Sequence, residues 1–256
     1  YGDLDVQSIT ELPPGRKPVK TWVVTESKRK AAYKWIQEQI DSANPHNQVF
    51  IVCPFVEPSE TNETIKAATK EFEVLKSTFP NHNLELLHGK LPSKSKHEIL
   101  EKFRSHEADI LVCTPVVEVG VDIPDATVMV IEAAERFGLA QLHQLRGRVG
   151  RNSKDSFCLL FTNSQEAANS PRLKAMESTH SGLALAELDL KLRGPGDMYG
   201  TAQHGVPELR FADLTNISLI NHTHQIAAQL FTNRDKWQQN LNNLIQMRKI
   251  QHVANN

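Results

Sequence analysis

The hydrophobic positions of the chain alternate between short apolar runs and longer amphipathic stretches as far as residue 163. Six runs are apolar at nearly every position, which is typical of strands buried on both faces of a parallel sheet. These predicted strands are residues 19–24, 48–54, 84–87, 109–114, 127–132 and 156–162. Helical spacing of the apolar residues between them predicts helices at 26–41, 62–79, 93–104 and 138–146. The pattern therefore predicts an α/β fold in which a parallel sheet is sandwiched by helices.

Beyond residue 163 the pattern changes, and no further strand is predicted. Residues 164–178 and 183–192 have the pattern of two consecutive helices, which would form a hairpin. Residues 192–205, LRGPGDMYGTAQHG, are rich in glycine and contain a proline, so they predict a loop, and a plain surface loop is one interpretation. Helices are predicted again at 211–231 and 235–251. We expect a smaller, mainly helical C-terminal region after the sheet.

Composition adds little charge bias to this picture. Of the 256 residues, 29 are Lys or Arg and 30 are Asp or Glu, so a polyanionic partner would have to meet a local basic patch. The three cysteines lie in apolar runs without a CxxC spacing, which favours core thiols in a reducing cytoplasm over a zinc site, and we predict no metal site. No run reaches the roughly 18 apolar residues of a membrane span, so we expect no membrane partner.

Three polar segments follow predicted strands, and such loops often carry function in parallel sheets. His88-Gly89-Lys90 follows the third strand, and residues 114–126 follow the fourth. The third segment is the end of QLHQLRGRVGR, residues 141–151, which follows the fifth strand and its helix. We expect all three segments to lie near one edge of the sheet and to form one site.

The segment at 141–151 is the most chemically loaded, because Arg146, Arg148 and Arg151 stand within six positions. Guanidinium groups match phosphate oxygens with paired hydrogen bonds, and the two interspersed glycines let a ligand approach the backbone. On a continued helix Gln144 and Arg148 would share a face, because they are four residues apart. A solvated basic turn is the competing interpretation.

The other two segments allow similar alternatives. In TPVVEVGVDIPDA, Gly120 interrupts a β-branched run and Asp122 follows it, so the carboxylate of Asp122 or Glu118 could orient an arginine or bind a ribose hydroxyl. An ordinary strand exit with a capping aspartate explains the same residues. His88 and Gly89 fit a contact to a nucleic-acid phosphate, or a plain turn histidine.

Together these segments resemble the second RecA-like motor domain of superfamily 2 helicases, in the form found in the RecG family. The resemblance covers nearly the whole chain, beginning with the leading segment 1–21. Residues 86–91 (LLHGKL), 114–127 (TPVVEVGVDIPDAT) and 135–151 (ERFGLAQLHQLRGRVGR) resemble helicase motifs IV, V and VI. Residues 186–205 resemble the translocation motif of RecG and of the transcription–repair coupling factor Mfd. Motif VI followed at this distance by LRGPG and GTAQHG is highly specific.

The resemblance implies roles for individual residues. Arg148 and Arg151 are expected to be arginine fingers that reach the γ-phosphate of ATP bound on a first motor domain, with Gln144 in the same catalytic group. It also implies a nucleotide-facing set and a DNA-facing set, and Arg193 and Gln203 are expected to couple ATP state to DNA movement. The nucleotide-facing set is Gly120, Asp122 and Glu118, and the DNA-facing set is His88, Gly89 and Thr114.

The resemblance also implies a domain plan and partners. Residues 1–18 would be a linker from a first motor domain, 19–163 the RecA-like domain, and 164–256 the hairpin, translocation loop and C-terminal helices. No GxxxxGK[ST] occurs, so we expect ATP and Mg²⁺ to be bound mainly by the first motor domain, and this chain alone to be inactive.

The expected partners are branched DNA and the wedge and first motor domains of the same protein, in a monomeric bacterial cytoplasmic helicase. The alternatives are an Mfd-like duplex translocase half and a non-catalytic nucleic-acid-binding module with this fold.

Overall fold

The computed structural model describes residues 17–43, 47–54, 62–115, 123–151, 154–197 and 217–232. Within them the chain forms two compact units: residues 17–192 belong to one, and residues 193–197 and 217–232 belong to the other. The sheet lies wholly in the first unit. Helices at 165–192 also belong to that unit, while the boundary that the sequence suggested at residue 163 stays a prediction.

Six parallel strands form the sheet, and their limits agree with the predicted runs to within two residues. The strands are β1 (Lys20–Val24), β2 (Gln48–Val52), β3 (Leu84–Leu87), β4 (Ile110–Cys113), β5 (Ala126–Ile131) and β6 (Phe157–Phe161). Their order across the sheet is β1-β6-β5-β2-β4-β3, and every neighbouring pair is parallel. The predicted fold, a parallel sheet sandwiched by helices, is confirmed.

Eight α-helices accompany the sheet within the described residues, and a short 3-10 turn precedes both the first and the fourth of them. The helices are α1 (Arg29–Asp41), α2 (Asn62–Thr78), α3 (Ser93–Arg104), α4 (Leu139–Arg146), α5 (Gln165–Ala168), α6 (Pro171–Ser178), α7 (Gly182–Asp197) and α8 (Ile217–Thr232). No helix in this part of the chain is both long and apolar enough to cross a membrane.

Alternating strand residues divide the interior into two apolar layers, one on each face of the sheet. On β2, Val49 and Ile51 face the layer under α1 and α2, whereas Phe50 and Val52 face the opposite layer. The second layer also contains buried residues of α3, α4, α6 and α7, such as Leu173. Helix α6 and the first part of α7 are thus part of the core of the sheet unit, on the same face as α4.

Two helix predictions after residue 163 were wrong in detail. The predicted helix 164–178 is interrupted, because Pro171 has no N–H to continue the helix and Ser170 starts a new one by accepting from the Leu173 N–H at 3.4 Å. The helix predicted to end at 192 continues to Asp197, through Gly194, Pro195 and Gly196, which their composition had assigned to a loop. Residues 198–205 of the predicted loop and the helix predicted at 235–251 lie outside the described residues.

Candidate functional site

The polar segments lie at two opposite edges of the sheet, and the prediction that they share one edge is wrong. His88 and Thr114 directly follow β3 and β4, so they lie at the carboxyl edge of the sheet. Gly150 lies instead at the amino edge, where a Cβ atom on it would be 3.0 Å from Val19 and 3.3 Å from Ser156, the residues just before β1 and β6. The reason is that α4 runs antiparallel to the strands and returns the chain to their starting edge.

The carboxyl edge brings the predicted DNA-facing residues together. Leu87 and Cys113 are paired in register, so His88 and Thr114 are the next positions on neighbouring strands, and the Thr114 N–H donates to the Leu87 carbonyl at 3.2 Å. The ammonium group of Lys96 donates to the Gly89 carbonyl. His88 and Gly89 are partly exposed, whereas Thr114 is fully buried. Of the residues predicted to face DNA, the accessible ones are therefore those of the His88-Gly89 turn, with Lys90 and Lys96 beside it.

Arg146 is a structural residue at the amino edge. Only 4% of it is exposed, and its guanidinium donates to the carbonyls of Met176 at 3.0 Å and Thr179 at 2.9 Å, at the end of α6. It also donates to Nδ1 of His143 at 3.0 Å, and burial followed by the charge of Arg146 lowers the pKa of His143. A signal was present in the sequence, because Arg146 lies on the apolar face of α4 with Leu139 and Leu142.

The two predicted arginine fingers are more accessible than Arg146. Arg148 is half-buried, and Gln144 and Arg151 are exposed. Helix α4 ends at Arg146, so Gln144 and Arg148 are not related by a continued helix as predicted; a turn follows in which the Arg148 N–H donates to the Leu145 carbonyl at 3.0 Å. Arg148 and Arg151 therefore project from the turn that follows α4, before and after Gly150.

Gly150 fixes the path of this turn, which we call the arginine turn (residues 147–151). Its φ of +72° lies in the left-handed region, and Val19 and Ser156 leave no comfortable room for a Cβ atom. The arginine turn is therefore seated directly on the amino ends of β1 and β6.

Replacing Gly150 by Ala is expected to lower the free energy of unfolding by about 1–2 kcal/mol, because an L-residue is strained at this φ. Gly147→Ala is the matched control, since Gly147 has a φ of -68° and should change stability by less than about 0.5 kcal/mol. Urea unfolding of both variants measures the difference. Equal stability of the two variants would contradict the close packing of Gly150 against Val19 and Ser156.

A second arginine, Arg172, joins α6 to α7 and to the turn before α4. Arg172 of α6 donates to the Phe137 carbonyl at 2.6 Å and lies 3.7 Å from the carboxylate of Asp189 in α7. The side chain of Glu177, also in α6, accepts from the Val23 N–H on the outer side of edge strand β1 at 2.8 Å. These contacts join α6 to α7 and protect the sheet edge, while the hairpin itself stays a prediction.

Some predicted site residues lie outside the described residues. They are Glu118, Gly120, Asp122 and Gln203, and the side chain of Arg193 in α7 is likewise not described. Within the described part of the chain, no three His, Cys, Asp or Glu side chains are arranged to hold a metal ion.

Comparison with known proteins gives two family matches, one after the other along the chain. Residues 28–153 match the helicase conserved C-terminal domain, and residues 179–255 match domain 3, C-terminal, of the ATP-dependent DNA helicase RecG. An ATP-dependent DNA helicase RecG from Synechocystis sp. is 50% identical over 215 residues, covering 84% of this chain and 25% of the relative. One from Aquifex aeolicus is 44% identical over 257 residues, covering 98% and 31%. The chain belongs to the RecG family.

A solved structure of RecG bound to a three-way DNA junction is similar in fold as well as in sequence. It is 40% identical, with a TM-score of 0.60, over 77% of this chain and 24% of that chain. The six-stranded sheet and its helices thus have the RecA-like helicase C-terminal fold. The chain spans between a quarter and a third of the length of the two RecG relatives that it matches.

Sequence reasoning missed one buried ion pair at the carboxyl edge of the sheet. Glu132, the residue after β5, accepts from the guanidinium of Arg29 at 2.7 and 2.8 Å and from the Tyr33 hydroxyl at 3.3 Å. Burial raises the pKa of Glu132, and Arg29 only partly offsets this effect. A charged residue ending the apolar run TVMVIE was the one sequence signal for this pair.

Proposed function

We propose that this chain is the C-terminal part of an ATP-dependent DNA helicase that acts on branched DNA in recombination and repair. The observation that carries the proposal is the match to two RecG segments in order, 28–153 and 179–255, together with similarity to RecG bound to a three-way junction. The second match is specific to RecG, which favours a RecG-type helicase over an Mfd-like translocase or a non-catalytic module.

The separation of the two edges supports different binding roles for the two edges of the sheet. We propose that the amino edge faces the nucleotide, with Arg148 and Arg151 as arginine fingers and Gln144 beside them. Guanidinium groups bind phosphate oxygens and stabilise the charge that develops in phosphoryl transfer. Gly120, Asp122 and Glu118 belong by family resemblance to the same cleft.

ATP and Mg²⁺ fit this chain only as half of a site. The arginine turn supplies donors suited to a γ-phosphate, but the sequence has no GxxxxGK[ST] loop to hold the other phosphates. When bound by the first motor domain, ATP supplies the phosphoryl group, while this chain's arginines orient it and neutralise charge. We expect a monomer in the bacterial cytoplasm, completed by the wedge and first motor domains.

The carboxyl edge is the proposed DNA-tracking surface. The His88-Gly89 turn, flanked by Lys90 and Lys96, offers a backbone N–H and cations that suit phosphate contacts without base specificity. Thr114, which directly follows β4, is buried. Its proposed part is therefore to support the neighbouring His88-Gly89 turn. Arg193 and Gln203 are the proposed coupling residues between ATP state and DNA movement.

The test compares the full-length protein with this 256-residue chain. The full-length protein is expected to hydrolyse ATP when a three-way junction is added and to unwind the junction. The isolated chain is expected to release no phosphate above background, because it contributes only half of the site. A full-length protein without junction-stimulated hydrolysis would contradict the proposed function, and turnover by the isolated chain at a comparable rate would contradict the half-site argument.

A further inference from the structure

Three side chains from distant parts of the sequence meet at the amino edge, close to the arginine turn. The carboxylate of Asp125, just before β5, accepts from the ammonium of Lys154 at 2.9 Å. Its other oxygen lies 3.3 Å from Nε2 of His106, in the turn after α3. Lys154 stands three residues after Arg151, so this carboxylate holds the chain that leaves the arginine turn.

The backbone around Asp125 is fixed independently of these side chains. The Asp125 carbonyl accepts from the Gln48 N–H at 3.0 Å, and the Gln48 side chain donates to the carbonyls of Phe103 and Ala108 on either side of the α3–β4 turn. Gln48 is almost fully buried. Asp125 and the turn that carries His106 are thus both anchored to the start of β2.

His106 adopts an unfavourable backbone conformation in this arrangement. Its φ is 60°, in the left-handed region, which costs a residue other than glycine about 1 kcal/mol. Glycine would make the same turn without this strain, but it would lose the imidazole that lies against Asp125.

The Asp125–Lys154 pair is too exposed to matter much for folding. The side chains are 36% and 41% exposed, and pairs of this kind contribute about 0.2–1 kcal/mol to stability. The hydrogen bond from Lys154 nevertheless keeps the pKa of Asp125 below its usual value, so the carboxylate is ionised at neutral pH. The main consequence of the pair is that it fixes the position of the Lys154 side chain relative to Asp125.

Arg151 therefore lies between two fixed points. On one side Gly150 is seated on Val19 and Ser156, and on the other side Lys154 is tied to Asp125. Lys154 is three residues from Arg151, so the position of Lys154 restricts the paths that the chain can take as it leaves Arg151.

We propose that Asp125 is a positioning residue for the arginine turn, which holds Arg151 in place through Lys154. The proposal rests on the proposed nucleotide-facing role of the amino edge. Displacing a catalytic group by about 1 Å can lower a rate by about 100-fold, so a tie that contributes little to folding can contribute strongly to turnover.

The test uses the full-length protein with Asp125→Asn and, separately, Lys154→Met. Each variant is expected to lower kcat for junction-stimulated ATP hydrolysis by about 10- to 100-fold, with a smaller change in KM for ATP, because the finger acts mainly in the transition state. The double variant should lose no more than either single variant. The melting temperature should fall by no more than about 4 °C, as for the loss of about 1 kcal/mol.

Two further variants separate position from stability. Glu85→Gln breaks a similar exposed pair with Lys102, 2.7 Å apart at the opposite end of the sheet, and should leave kcat unchanged. Exchanging the charges, with Asp125→Lys and Lys154→Asp together, should recover part of kcat. A kcat within twofold of the parent, a larger fall in melting temperature, or no recovery on exchange would overturn the proposal. Arg151→Ala run in parallel identifies failure of the proposed function, because turnover would then be unaffected there as well.

Discussion

Replacing Arg148 or Arg151 by Ala in the full-length protein is expected to lower the rate of ATP turnover by about 10³-fold or more, the scale of arginine fingers. The physical reason is that, as a proposed arginine finger, each guanidinium would meet charge that develops only in the transition state. ATP binding should weaken far less, because the proposal assigns most of the phosphate contacts to the first motor domain. The measurements are kcat at saturating ATP and junction DNA, and the dissociation constant for ATP.

Two other arginines serve as controls for this prediction. Arg104 is a half-exposed surface residue of α3 paired with Glu101, and Arg104→Ala should leave turnover unchanged. Arg146→Ala should instead lower thermal stability, because the carbonyls at the end of α6 lose a buried charged donor. If turnover falls less than about threefold in both Arg148→Ala and Arg151→Ala, the finger assignment is wrong.

The three arginines of one short segment illustrate what the sequence could and could not predict. Residue type and spacing singled out the segment as a candidate site, and the buried strand runs correctly predicted the sheet. The buried role of Arg146 was also readable, since it shares a helical face with apolar residues. The sheet edge was predicted wrongly because the expectation followed the preceding strand and ignored the direction of the intervening helix.

The contacts that hold the arginine turn could not be predicted from the sequence. Gly150 meets Val19 from more than a hundred residues earlier, and Asp125 joins His106 to Lys154 across nearly fifty residues. Such contacts depend on the order β1-β6-β5-β2-β4-β3, which places the first and last strands side by side. Periodicity within one segment contains no information about that order.

At the opposite edge, Arg29→Ala is expected to lower the free energy of unfolding by about 3 kcal/mol or more, as when one partner of a buried pair is removed. Only 17% of the Arg29 side chain and 10% of the Glu132 side chain are exposed. The guanidinium also lies 4.8 Å from the centre of the Phe161 ring. Without it, the Tyr33 hydroxyl is the one side-chain donor to this buried carboxylate among the residues that the structure describes.

Urea unfolding of the 256-residue chain measures this loss. Trp22 and Trp35 lie in the sheet unit, so fluorescence in a Trp237→Phe background reports that unit. Lys102→Ala, which breaks an exposed pair, should cost less than about 1 kcal/mol. Replacing both partners, with Arg29→Met and Glu132→Leu, should restore most of the stability, since no unpaired charge is then left in the core.

The pH dependence of the Arg29→Ala variant distinguishes an unpaired charge from a simple loss of packing. Burial already raises the pKa of Glu132, and removing Arg29 removes the main opposing influence, so the pKa in the folded variant rises further. In the unfolded chain the same carboxyl has a pKa of about 4.3. Below that pH it is neutral in both states, and the variant should be least destabilised. As the pH rises from that value to the folded pKa, the carboxyl ionises in the unfolded chain but resists ionisation in the folded state. The loss in free energy of unfolding relative to the parent should therefore grow, and then level off above the folded pKa.

A loss of stability that is the same at pH 5 and pH 8 would indicate that the lost contacts of the Arg29 side chain, and not the isolated charge of Glu132, cause the destabilisation.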